Sequence, residues 1–319
     1  MLAIVPQVFV KATTVPQISK RQFSKCQLTG RQLWGPLWQS IRFTVVAFVA
    51  FAAAECVGQT TATGEKKELF AVVEDRAFVA KFDQTEQHYV VMTPHGFTGD
   101  SAISIMIALH GHGSDRWQFV RQPRGECRAT REVAAAHKML FVSPDYRART
   151  SWMGPAAEAD VVQIIQALRK RYKIDRVIVC GGSMGGTGAL TFAALHPKLV
   201  DGVVSLNGTA NLVDYDKFSD AIAESFGGSR AEVPEEYRKR SAEFYPEAFT
   251  MPLATTTGGK DDVVPPDSVL RLIEHVRKRN ENVLSLHRPN GGHSTDFEDS
   301  RTALEFVVRT ALAREKPQE

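Results

Sequence analysis

Apolar strands that alternate with helical segments from about Leu69 to Ala313 predict an α/β protein with a parallel-rich central sheet covered by helices on both faces. Two observations carry this. Ile103 to Leu109, broken only by Ser104, and Met139 to Val142 are apolar runs, as expected of strands buried on both faces. Val177-Ile178-Val179 then runs through Gly181-Gly182-Ser183-Met184-Gly185 into a small-residue segment ending at Leu195, which reads as strand, sharp turn, helix.

The elements follow in order. Thr60 to Lys67 is small and polar, a linker or the start of a mature chain. Leu69 to Val73, Ala77 to Phe82 and His88 to Met92 read as an antiparallel lead-in, with turns at Glu74-Asp75 and Asp83-Gln84. The run Ile103 to Leu109 stops at His110-Gly111-His112-Gly113-Ser114, and a helix covers part of Thr130 to Lys138. Pro155 begins a helix whose Val161, Val162, Ile164, Ile165, Leu168 and Tyr172 share one face, a core-packing stripe. A strand at Gly202 to Leu206 precedes a polar, aromatic, cap-like insertion from Asn207 to Phe249. Strands at Pro252 to Thr257 and Val283 to Leu286 frame a helix at Pro266 to Lys278, and a last helix covers about Thr302 to Ala313. Residues 60–319 are expected to be one domain.

The formal charge of +3 conceals an asymmetry, because six of the 39 Lys and Arg precede residue 55 and no acidic residue does. Without those six, 33 basic residues face 36 acidic ones, so the body of the chain offers nothing to a polyanion and a nucleic-acid partner is excluded. The 12 residues Phe43 to Ala54 are apolar, follow Arg42 and close on Ala52-Ala53-Ala54. This matches a secretory signal peptide with a long leading region and predicts a targeting segment over 1–59 and a secreted or periplasmic protein. An organelle transit peptide and an uncleaved anchor are the alternatives, the latter being the one route to a membrane. The run falls short of the roughly 20 residues a span needs. Cys56 fits a lipoprotein site badly behind Glu55. Past this segment Cys127 and Cys180 remain, which permit one disulfide without requiring it.

A serine hydroxyl needs a histidine base, and the base needs a carboxylate that fixes its tautomer. Asp261 in Gly259-Lys260-Asp261-Asp262 and His293 in Gly291-Gly292-His293-Ser294 each stand just past a strand, where open α/β sheets place their sites. The expected nucleophile, acid and base are therefore Ser183, Asp261 and His293, with Asp262 as the alternative acid. Gly181 and Gly185 flank the serine because a strained turn leaves no room for side chains. An oxyanion needs two fixed N–H donors, and the expected ones are the backbones of Met184 and His112, with Gly111 as fallback for the latter. His110 reads as a buried residue bonded to its own loop. His110 and His112 lack a third ligand at metal spacing, so no metal and no organic cofactor is expected.

The motifs LHGHGSD at Leu109 to Asp115, CGGSMGG at Cys180 to Gly186, GGKDDVVPP at Gly258 to Pro266 and GGHS at Gly291 to Ser294 resemble those of the α/β-hydrolase superfamily. Within it the chain is similar to the esterase and prolyl-oligopeptidase-like branch, with polyester depolymerase and feruloyl esterase relatives. The resemblance implies a mostly parallel sheet of about eight strands, a Ser–His–Asp triad and no cofactor. The expected partner is a small-molecule or polymeric ester; a serine peptidase and a non-catalytic binding module on the same fold are the alternatives.

Selectivity is expected from the insertion Asn207 to Phe249 and the loop Pro144 to Pro155, both placed over Ser183. In that loop Tyr146, Arg147 and Trp152 are the candidate substrate contacts, since aromatic faces with arginines suit a sugar, an aromatic acyl group or a carboxylate. Ordinary packing is the competing role for each.

Overall fold

The computed structural model describes residues 68–315. The expected targeting segment, its apolar run, Cys56 and the linker Thr60 to Lys67 lie outside the described residues. Among the described residues no helix is long and apolar enough to cross a membrane.

Eight strands form one sheet: β1 Val72–Val79, β2 Glu86–Thr93, β3 Ile103–Leu109, β4 Leu140–Pro144, β5 Ile174–Gly182, β6 Gly202–Leu206, β7 Leu253–Gly258 and β8 Val283–Arg288. Their order is β1-β2-β4-β3-β5-β6-β7-β8. β2 pairs antiparallel with β1 and β4, and every other pair is parallel. This is the α/β-hydrolase arrangement that the sequence predicts.

Alternation along the central strands explains the two layers. Ile105, Ile107 and Leu109 of β3 and Val177 and Val179 of β5 pack into one core with α3 (Pro155–Arg171), α4 (Met184–Leu195) and α7 (Asp267–Arg277). Met106, Ala108, Ile178 and Cys180 face the opposite core, with α2 (Gly125–Ala136) and α8 (Phe297–Ala313). The α3 stripe behaves as expected: Val161, Ile164, Ile165 and Leu168 are buried and Tyr172 packs against them. Cys127 and Cys180 are both buried and free.

The lead-in differs from expectation. No turn occurs at Glu74-Asp75, because Val72 to Val79 is one strand paired throughout with β2, from Val72 opposite Thr93 to Val79 opposite Glu86. Charged residues persist there because β1 is an edge strand with solvated side chains, and Asp75 is held by Arg116 at 2.8 Å. Helix α2 begins at Gly125, before the expected start, and a short helix α1 (Gln118–Arg121) precedes it. The insertion carries α5 (Ser219–Phe226) and α6 (Pro234–Lys239).

Candidate active site

Ser183 stands between β5 and α4 with φ +57° and ψ −121°, a conformation reserved for turns that the surroundings over-determine. A Cβ on Gly185 would lie 2.0 Å from the Leu109 carbonyl oxygen, and one on Gly181 would lie 2.4 Å from the Gly185 backbone. Only glycines let this turn press against the end of β3, and the pressure lifts the serine clear of the sheet.

The loops after β7 and β8 are braced in the same way. A Cβ on Gly258 would lie 2.4 Å from the Gly292 carbonyl oxygen, and Lys260 N–H donates to Gly291 O at 2.8 Å. This close backbone packing brings Asp261 under His293. His293 Nδ1 lies 2.8 Å from Asp261 Oδ2, and His293 Nε2 lies 2.9 Å from Ser183 Oγ. Asp261 is 5% exposed, and its Oδ1 accepts N–H groups from Val263 at 3.0 Å and Val264 at 2.8 Å. A buried carboxylate is tolerated only with its lone pairs filled in this manner. Asp262 points to solvent, so of the neighbouring pair it is Asp261 that meets the imidazole.

The loop His110 to Ser114 faces Ser183 across a cavity of about 600 Å³. His110 is buried, its Nδ1 2.9 Å from Gly111 O and its Nε2 3.0 Å from Asp145 O. Burial pushes its pKa below the ordinary histidine value, so the neutral ring donates to one of these carbonyls. The Gly111 N–H donates to Gln118 Oε1 at 2.8 Å, which removes Gly111 as an oxyanion donor. His112 lines the cavity beside Ser183. Met184 opens α4, where the first N–H groups have no intrahelical acceptor and the helix presents its positive end.

The three expected substrate contacts require correction: none of Tyr146, Arg147 and Trp152 lines the cavity. Tyr146 is 1% exposed and its hydroxyl donates to His110 O at 2.6 Å. Trp152 is fully buried, its Nε1–H donates to His112 Nδ1 at 3.2 Å, and its ring packs on Tyr215 and Phe218. Arg147 is bound at 2.6 Å to the buried Asp160 and at 2.6 Å to Asp83. The loop Pro144 to Pro155 thus sits behind the His110 to Ser114 loop and holds it in place. Sequence reasoning missed Gln118, Gln122, Arg124 and Glu126, which do line the cavity, whereas Phe218 reaches it from the insertion expected to carry selectivity. The available signal was position, since the first four directly follow the glycine-rich loop.

The fold and a serine–imidazole–carboxylate array at the carboxyl ends of its strands define the class: this is a serine hydrolase of the α/β-hydrolase type. The prolyl oligopeptidase family (Peptidase_S9) matches residues 147–312, and the chain belongs to that family. Similar solved structures include puromycin hydrolase, 22% identical over 77% of this chain and 40% of that one, with a TM-score of 0.62. An S-formylglutathione hydrolase from Agrobacterium tumefaciens is 16% identical over 76% and 95% of the two chains, with a TM-score of 0.58. A ferulic acid esterase is 17% identical over 75% and 98%, with a TM-score of 0.57. This chain therefore spans less than half of puromycin hydrolase and nearly the full length of the other two. No curated protein sequence matches it.

Proposed function

We propose that this protein hydrolyses carboxylic esters through an acyl-serine intermediate, with Ser183 as nucleophile, His293 as base and Asp261 as the acid that orients it. The observation that carries the reading is the continuous hydrogen-bonded chain from Ser183 Oγ through His293 to Asp261, at 2.9 and 2.8 Å. His293 Nε2 takes the Ser183 proton as Oγ attacks the ester carbonyl carbon. The oxyanion accepts N–H groups from Met184 and His112, and the buried Asp261 stabilises the imidazolium. Nε2–H then protonates the departing alkoxide, leaving an acyl-enzyme. Water, deprotonated by His293, attacks the acyl carbon, and collapse returns Ser183 and releases the carboxylic acid.

The ester reading is supported by the relatives matched nearly end to end, which are a ferulic acid esterase and an S-formylglutathione hydrolase. The cavity adds a substrate preference. Polar side chains share its lining with Phe218, Leu206 and Val263, and its surface is as apolar as it is polar, which suits an ester with both polar and apolar parts. The second reading is a serine peptidase, favoured by the family match itself. Export directed by residues 1–59 completes the proposal, and suits an enzyme acting on plant-derived esters or polyesters outside the cell.

Purified protein should hydrolyse p-nitrophenyl acetate and react with a fluorophosphonate probe, and Ser183→Ala should abolish both. Labelling that survives Ser183→Ala, or a wild type inert to the probe, defeats the hydrolase reading and leaves a binding module. A panel of acetylated xylan, feruloyl esters, polyhydroxyalkanoate and peptide anilides separates the two enzymatic readings; cleavage of the anilides alone defeats the ester one.

A further inference from the structure

Asn207 directly follows β6 where the loops of the acid and the base converge, and its backbone is held at φ +50°, a left-handed conformation that asparagine accepts more readily than most residues. The side chain is 5% exposed. Its Oδ1 accepts the Thr295 hydroxyl in a close contact, and Thr295 Oγ1 in turn accepts the Thr256 hydroxyl at 2.6 Å. With the Thr295 hydroxyl on the carbonyl end, the amide end faces Asp261, and Nδ2–H donates to Oδ2 at 3.4 Å. A carboxylate only accepts hydrogen bonds, so chemistry demands this orientation of the amide. The same Oδ2 meets His293, and Thr295 lies two residues beyond His293 in the chain.

We propose that Asn207 is a positioning residue: it ties Asp261 to Thr295 and so sets the carboxylate against the imidazole. The inference rests on the triad reading of Ser183, His293 and Asp261. Asp261 Oδ1 is held by two backbone N–H groups, whereas Oδ2 has Asn207 and His293 as its hydrogen-bond partners. Without Asn207 the imidazole alone holds that oxygen, and the loop carrying His293 loses its link to β6. A single side chain thus couples the loop ends of β6, β7 and β8, and misplacement of a base by a fraction of an ångström lowers the chemical rate.

Three variants test this: Asn207→Asp and Asn207→Gly, which both accept a positive φ, and Thr295→Val, which cuts the link without touching Asp261. The readouts are the pH profile of kcat/KM on p-nitrophenyl acetate, the rate of fluorophosphonate labelling and the melting temperature. The charges around the imidazole are Asp261 behind it and, across the cavity, Glu126 with its partner Arg124. Asn207→Asp sets a second carboxyl against Oδ2, and two carboxyls this close share one proton, so the variant should hold its rate while that proton is bound and lose it as the proton leaves, adding an alkaline limb absent from the wild type. Asn207→Gly and Thr295→Val should each slow labelling about tenfold. No added alkaline limb in Asn207→Asp, or rate losses that merely track a lowered melting temperature, overturns the inference. A wild type inert to the probe overturns the triad reading instead, and is recognised before any variant is compared.

Discussion

At the carboxyl end of the sheet, the loops after β5, β7 and β8 bring Ser183 and Asp261 each within hydrogen-bond distance of His293. The loop after β4 reaches the same end but turns inward, burying Tyr146 and Trp152 and pairing Arg147 with the buried Asp160. The difference lies in what surrounds each loop. Glycines at 181, 185, 258 and 259 let the first set pack backbone on backbone, which leaves the polar side chains to face the cavity. The loop after β4 carries large rings, and rings of that size gain most by leaving water. It therefore becomes a support, with Tyr146 on His110 O and Trp152 on His112.

The largest effect that sharpens this contrast falls within the first set. Asp261→Asn should lower kcat by about 10⁴-fold, because the imidazole loses the acceptor that fixes its tautomer. Asp262→Asn, one residue on and solvated, should change kcat by less than about twofold. Steady-state kinetics on p-nitrophenyl acetate checks the pair, and comparable losses in both would erase the distinction between the neighbours.

Aromatic residues should divide by the same rule. Trp152→Ala removes a fully buried ring and should cost about 3–5 kcal/mol of stability in urea unfolding. Phe218 is 36% exposed and lines the cavity. Phe218→Ala should cost under about 1 kcal/mol of stability, yet raise KM for an aromatic ester by about three- to tenfold, the worth of one ring contact. The reverse pattern would return Trp152 to the substrate.

The smallest effect concerns the far end of α4, away from Ser183. Glu158 accepts His196 Nε2–H at 2.9 Å and lies 2.9 Å from Arg240 Nη2, which joins α3 and α4 to the insertion. Burial works against its charge, but His196 and Arg240 outweigh it and hold the carboxyl at about 2, below its ordinary 4.5. A depressed carboxyl stabilises the fold above its unfolded value and loses that contribution as pH falls from about 4.5 through 2. Urea midpoints followed from pH 6 to pH 2 should show this acid weakening in wild type and much less of it in Glu158→Gln, with kcat at neutral pH unchanged. An identical acid slope in both proteins would remove Glu158 from the account.

Much of the site was legible because its signals are local. Ser183 announces itself through glycines on either side and a β-branched run before it, and Asp261 and His293 through glycine turns at strand ends. Tyr146, Arg147 and Trp152 misled because an aromatic–arginine loop reads the same whether its rings face a ligand or a core. Asn207 gave no signal, since its partners Asp261 and Thr295 are 54 and 88 residues away. The edge strand β1 was misread because the charges at Glu74 and Asp75 resemble a turn, and only pairing with β2 shows them on a solvated edge.

The amino-acid sequence by itself determined the alternation of strands and helices, the strained turn at Ser183 and the strand-end loops that carry His293 and the aspartate pair Asp261-Asp262. Each of these rests on hydrophobic periodicity or on steric demands met within a few residues. Tertiary structure decided which of two adjacent aspartates meets His293, which N–H groups remain for an oxyanion once Gln118 has taken that of Gly111, and which aromatic rings are wall and which are core. These depend on distances between segments far apart in the chain, and such distances exist only once the sheet has brought its strand ends together.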